Sequence, residues 1–359
     1  MPQTLDVITV ADFREPQRCL FTWRSLFFLA SWLYSRNREN GHSLHFVCIG
    51  DPPKSILNLA EKAGALVTEA EPQGILSKSD CAGTNPLEKK LLPKMDNKFR
   101  GLEVQSQHAS FLLVDVDVFF NRPLSGAILQ PNFTAAAPAH NPHFSESVWK
   151  SIYEAVHLSF PEHRLRCIKS QLGLGLRNEE YPGQARDLES MIPYYNGGVV
   201  LSPWDSPLVQ EWPQRSRIIM KSNVSSGPGT LKKLGDVCDQ LGLSVCLTEL
   251  QRNGHSFDTL EPHHHTTYFH LALKTLKWDQ IQLYHDNPYS FYELSQTNNA
   301  TILEKMLWAG LKRAIRWYRD EVLLSGQLRK HIIPKGIPNI IARQRFFATL
   351  FNTYIRELV

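Results

Sequence analysis

The chain has 359 residues, 42% of them hydrophobic and 21% charged, with a formal net charge of +4. That length accommodates one large α/β domain with an appendage, or two ordinary domains. The composition, free of low-complexity runs, excludes large-scale disorder. The charge is uneven. From Thr301 onward eleven Lys or Arg face four acids, a surplus of seven, which leaves the rest at −3.

The N-terminal residues Met1 to Val10 have no basic segment followed by an apolar one, and Leu20 to Leu33 is interrupted by Arg24 and too short to span a bilayer. The expected localisation is therefore cytoplasmic. Cys19, Cys48, Cys81, Cys167, Cys238 and Cys246 show no metal-binding spacing and read as free thiols. The sequons at Asn132, Asn223 and Asn299 then carry no glycan.

Taken in order, Asp6 to Ala11 reads as a strand, Arg18 to Ser35 as a helix, and Ser43 to Gly50 as a second strand. Lys54 to Ala63 is a helix, Gly64 to Val67 a third strand, and Pro86 to Val104 a helix with a break at Pro93. Phe111 to Val118 is a nearly all-apolar strand. Apolar strands alternating with helices predict a mostly parallel sheet covered on both faces. Further on come a helix near 145–158, a Gly-rich loop at 169–183, a strand at Val199 to Ser202 and a helix from Asp236 to Leu247. Leu303, Leu307, Leu311, Ile315, Tyr318 and Val322 recur at helical spacing, and a last helix covers Ile340 to Leu358.

The chemistry centres on Asp115-Val116-Asp117, which ends the apolar run. In a strand, residues two apart point the same way, so both carboxylates would converge beyond the sheet edge. Paired carboxylates need a positive partner there: a divalent cation bridging nucleotide phosphates, or a nearby Arg such as Arg122. Strand carboxyl ends are also where open α/β sheets bind ligands.

Further segments follow in order: Asn97-Lys98 upstream, then Tyr194-Tyr-Asn-Gly-Gly-Val-Val-Leu-Ser202, Asp239-Gln240, and His270-Leu-Ala-Leu-Lys-Thr-Leu-Lys-Trp278. Over residues 5 to 280 this series resembles the glycosyltransferases of the GT-A fold, particularly the glycogenin and lipopolysaccharide galactosyltransferase group. The resemblance implies a GT-A α/β catalytic domain over 1–295, with a nucleotide-binding half (1–120) and an acceptor half (121–295). A basic helical extension follows at 296–359. It implies Mn²⁺ or Mg²⁺ held by Asp115, Asp117 and His270, and a nucleotide-sugar donor, UDP-linked. Val10, Ala11 and Asp12 would hold base and ribose. Asn97, Lys98, Val116, Gly197, Gly198 and Lys277 would line the donor site. Asn196, Asp239 and Gln240 would lie at the reacting sugar. The family's His-x-x-Gly-x-x-Lys-Pro-Trp lacks its Gly and Pro here, which bears on Lys277.

The resemblance leans toward retention of configuration, with a glycan or lipid-linked acceptor. The basic C-terminal helices either pack on the domain with a solvated face or touch an anionic membrane. A sugar-1-phosphate nucleotidyltransferase would need a Gly-rich loop after the first strand, where Ala11-Asp-Phe-Arg-Glu-Pro16 has none. A non-catalytic nucleotide-sugar-binding protein is the other alternative. Nucleic acid is not an expected partner.

Overall fold

The computed structural model describes residues 3–15, 18–72, 97–125, 133–139, 144–162, 165–168, 188–222, 224, 237–260, 264–266, 277–285, 300–317, 319 and 336–359. Strand β1 (Asp6–Asp12) is almost wholly buried, and helix α1 (Arg18–Ser35) follows it. Strand β2 (Ser43–Ile49) leads through Pro53 into helix α2 (Lys54–Ala63). Gly64 ends α2 at φ 65°, its N–H returning to the carbonyls of Ala60 and Glu61. This left-handed cap is why strand β3 (Leu66–Ala70) starts later than the expected Gly64.

Of the helix expected over Pro86 to Val104, residues 86–96 lie outside the described residues. The rest is a 3₁₀ turn, Lys98–Glu103. The Phe111 to Val118 run is two strands, β4 (Ser110–Val114) and β5 (Val118–Phe120), separated by a turn at Asp115-Val116-Asp117. Strand β6 (Thr134–Pro138) and helix α3 (Glu146–Ala155), capped by Ser145, come next. Strands β7 (Leu165–Ile168) and β8 (Leu188–Met191) form a separate hairpin-like pair, and the loop at 169–183 lies outside the described residues.

Strand β9 (Tyr195–Pro203) is longer than its apolar stretch suggested. Helices α4 (Leu208–Lys221) and α5 (Cys238–Arg252) follow, then strands β10 (Phe257–Thr259), β11 (His265–Thr266) and β12 (Leu283–His285). Helix α6 (Ala300–Trp317) and helix α7 (Gly336–Leu350), with a π turn at Phe351–Ile355, complete the fold.

The main sheet has the order β10-β6-β9-β4-β1-β2-β3. Its pairings are parallel except at β9, which runs against both β4 and β6. A smaller sheet, β11-β12-β5, lies beside it. Alternation sorts the strand residues onto two faces. Val7, Leu112, Val114, Val199 and Leu201 join α1, α2 and the C-terminal helices in one core. Ile8, Phe111, Leu113 and Val200 join Phe99, Trp212, Leu243 and Leu247 in the other. The expected fold class is therefore observed: a mostly parallel α/β sheet with helices on both faces and C-terminal helices. Leu303, Leu307, Phe346, Phe347 and Leu350 belong to the first core, so α6 and α7 pack on the body.

Candidate active site

The antiparallel course of β9 brings its first residues to the edge where β1 and β4 end. Val114 pairs with Val199, and the Asp115 N–H donates to the Gly198 carbonyl at 2.9 Å. The chain then leaves extended geometry. The Val118 N–H donates to the Asp115 carbonyl at 2.9 Å, closing a turn around Val116, whose side chain is buried. Turn closure, rather than strand alternation, brings the two carboxylates together.

Asp115, Asp117 and His285 each offer a ligand atom, and these atoms lie within 4.8 Å of one another. His285 comes from the end of β12, which pairs antiparallel with β5 and sets His285 opposite Val118. Its Nε2 is 3.3 Å from Asp117 Oδ1. The expected ligand His270 lies outside the described residues. His285 stacks on His265, ring centroids 5.6 Å apart and 16° from coplanar. Burial lowers the His285 pKa, but Asp117 and Asp115 more than offset it and the net shift is upward. His265 is held well below the ordinary value by burial and by His285 beside it.

Arg24 projects from α1 to Asp117, Nη2 to Oδ2 3.1 Å, with both side chains largely buried. Burial pushes the Asp117 carboxyl up, yet Arg24 and then His285 hold it well below the usual range. Arg122 instead donates to the Asp279 carbonyl at 3.1 Å.

Lys98, at the start of the 3₁₀ turn, reaches Asp115 Oδ1 at 2.7 Å and Asp239 Oδ2 at 3.6 Å, and donates to the Gly197 carbonyl. Its Nζ also lies 5.8 Å from the Trp212 ring centre. Burial would lower the Lys98 pKa, but Asp115 and Asp239 raise it overall, so the ammonium persists. Asp239 opens α5, and burial raises its pKa against the opposing pull of Lys98. Its Oδ1 is buried without a hydrogen-bond partner among the described residues. The Trp212 indole N–H fixes the Asp239 carbonyl at 2.7 Å. Gln240 Oε1 accepts from the Tyr194 hydroxyl at 2.7 Å.

Asn196 Oδ1 accepts from the Gly198 N–H at 2.6 Å, tightening the turn. A Cβ at Gly198 would lie 2.5 Å from His285 Cε1, and one at Gly197 would lie 3.0 Å from Asp239 Oδ2. Glycine is therefore a steric requirement at 198.

Asp12, at the end of β1, holds Arg14 through Nη2 at 2.6 Å and Nε at 2.8 Å, and accepts from Asn97 Nδ2 at 2.9 Å. Asn97 thereby anchors the turn that carries Lys98. Ala11 is fully buried and Val10 partly so. Lys277 is exposed and caps the turn at Trp278 through its own N–H to Gln280 Oε1, 2.8 Å.

The structure thus gathers Lys98, Asp115, Asp117, Asn196, Gly197, Gly198 and Asp239, with Asp12 and Asn97 tied to them. Sequence reasoning missed His285, His265 and Arg24. Arg24 had a signal: it is a lone charge among apolar residues.

No family profile matches the sequence, and no curated protein matches it. Among solved structures, mouse xyloside xylosyltransferase 1 in its apo form aligns at 11% identity and TM-score 0.41, over 79% of this chain and 98% of that one. The galactosyltransferase LgtC with donor and acceptor sugar analogues aligns at 12% identity and TM-score 0.40, over 81% and 95%. An active-site mutant of LgtC aligns at 12% and 0.40, over 78% and 86%.

Proposed function

We propose that the protein is a metal-dependent glycosyltransferase that moves a sugar from a nucleotide-sugar donor, UDP-linked, to a hydroxyl acceptor. The observation that carries this is the convergence of Asp115, Asp117 and His285 within 4.8 Å at the sheet's carboxyl edge, beside Lys98.

The donor set suits a divalent ion: two carboxylates and an imidazole whose Nδ1 is buried without a partner among the described residues. Asp115, Asp117 and His285 would hold Mn²⁺ or Mg²⁺, with His270 the alternative the family resemblance implies. Such an ion supplies electrostatic stabilisation for the charge that builds on a departing diphosphate. Lys98 contributes a fixed ammonium to the same developing charge. Asp239 Oδ1, without a hydrogen-bond partner among the described residues, would accept from a sugar hydroxyl, with Gln240 and Asn196 at the reacting sugar as the resemblance implies. Val10, Ala11 and Asp12 would border the base and ribose. Transfer passes through an oxocarbenium-like state, so a buried carboxylate near the sugar stabilises positive charge as it forms. Retention of configuration, residues 1–120 as donor half and 121–295 as acceptor half all follow from the resemblance.

A glycan or lipid-linked acceptor and peripheral contact with an anionic membrane face, from the cytoplasm, complete the reading. Among the described residues no helix is long and apolar enough to cross a membrane. Support for the contact is the cationic outer face of α6. The test is a panel of UDP-, GDP- and other nucleotide sugars, each assayed for Mn²⁺-dependent hydrolysis and thermal stabilisation. A UDP-sugar should respond only with the ion present. Stabilisation without turnover on any acceptor would instead favour a non-catalytic binding protein, and no response would sink both.

A further inference from the structure

Each carboxylate of the proposed cation site already has its own protein cation. Asp115 has Lys98 at 2.7 Å, and Asp117 has Arg24 at 3.1 Å. Lys98 belongs to the donor machinery by position. Arg24 does not: it comes from α1, whose neighbouring side chains Trp23, Ser25, Leu26, Phe27 and Phe28 are all buried.

A guanidinium in that setting is costly to desolvate. Its side chain is only 12% exposed, and its Nε is buried with no hydrogen-bond partner among the described residues. Its placement answers one need, the buried Asp117 carboxylate, whose other oxygen faces His285. Without a cation and without Arg24, that carboxylate would face Asp115 and Asp239 with only Lys98 and His285 in opposition.

We propose that Arg24 is a positioning residue for Asp117 and serves as its counter-cation whenever no divalent ion is bound, so that ion and guanidinium compete for the same carboxylate. The proposal rests on the reading of Asp115, Asp117 and His285 as cation ligands. Arg24 then sets a ceiling on metal affinity and keeps the empty site folded.

The experiment uses the full chain with MnCl₂ alone as probe, by calorimetric titration and by thermal unfolding in EDTA or MnCl₂. Arg24→Met should bind Mn²⁺ about tenfold more tightly than the parent protein, because a competing charge has been removed from a ligand carboxylate. It should unfold several degrees lower in EDTA and recover most of that loss in MnCl₂. Arg24→Lys should stay close to the parent. The double variant Arg24→Met with Asp117→Asn removes both charges; it should regain stability in EDTA and lose the Mn²⁺ response.

An equal loss in EDTA and MnCl₂, or unchanged Mn²⁺ affinity, would overturn the proposal and leave the site intact. If Arg24→Met folds only poorly in EDTA, rescue by MnCl₂ supports the role and failure of rescue overturns it. Absence of Mn²⁺ binding by the parent protein would overturn both this role and the cation site itself.

Discussion

Gly198 marks how closely the site is packed. The missing Cβ leaves room for His285, whose Cε1 would be 2.5 Å away and Nδ1 2.8 Å away. Gly198→Ala must displace that imidazole or the β9 backbone, costing about 1–3 kcal/mol of stability. The Mn²⁺ response should fall with it, as judged by thermal unfolding with and without MnCl₂. A variant that loses neither would show that His285 is not held against β9 as described. At this scale the sequence was informative where types were unusual for their setting. Asp115 and Asp117 stood out because two acids end a buried apolar run. His285 did not, because it closes a short Leu-Tyr-His strand in a His-rich region, and only pairing of β12 with β5 brings it to Val118.

Elements were legible where local chemistry sets their ends. Helix α1 and helix α2 have the expected bounds because α2 is bracketed by Pro53 and Gly64, and α1 is a largely apolar stretch interrupted by Arg24. The break between β4 and β5 was not legible, because Val116 and Val118 fit a strand as well as a turn. The choice is made by β9 and β12, which pair with the two pieces separately. Helix α6 shows the same dependence on context. Leu303, Leu307 and Leu311 turn inward, while Ile302, Trp308 and Ile315 remain 47%, 40% and 43% exposed among exposed Lys305, Lys312, Arg313 and Arg316. Its Glu304 is turned aside to Arg356 at 3.5 Å. A cationic surface bearing Trp and Ile suits an anionic lipid interface. The protein should sediment with vesicles containing phosphatidylglycerol and not with phosphatidylcholine alone. Combined Lys305→Glu, Lys312→Glu and Arg316→Glu should reduce binding by about a hundredfold at low salt, as each basic group near the surface contributes about 1 kcal/mol. Trp308→Ser should weaken it with the charge unchanged; equal binding by all variants would exclude this face.

Across the whole molecule, buried His42, just ahead of β2, adds to the acid response that buried His265 in the site also carries. His42 is buried; its Nδ1 accepts from the Leu5 N–H at 3.2 Å, and its Nε2 has no partner among the described residues. Burial, with His108 nearby, pulls its pKa down to about 4. The unfolded chain therefore binds a proton that the folded chain resists. Stability should be full above the ordinary histidine range and fall as pH drops from about 6.5 toward 4, by at most on the order of 3 kcal/mol. Asp6 acts below that window. Burial raises its pKa, but His45, the N–H groups of Gln107 and His108, and the Trp204 indole bring it below 3.8, so its contribution fades only in stronger acid. Urea unfolding at pH 7 and pH 4.5 should show the difference, and His42→Gln should reduce it. An unchanged slope in that variant would assign the acid response elsewhere.

The position of β9 has a consequence for how the chain comes off the ribosome. It is wedged between β4 and β6, and the last described ligand arrives with β12. β1, β2, β3 and β4 can pair in the order of synthesis, but Asp115 gains its Gly198 contact only after β9 emerges, and Asp117 its imidazole partner only after His285 does. Pairings so distant in sequence close slowly. A nascent chain halted before β12 would therefore present the two aspartates with Arg24 and Lys98 already in the sequence but without His285.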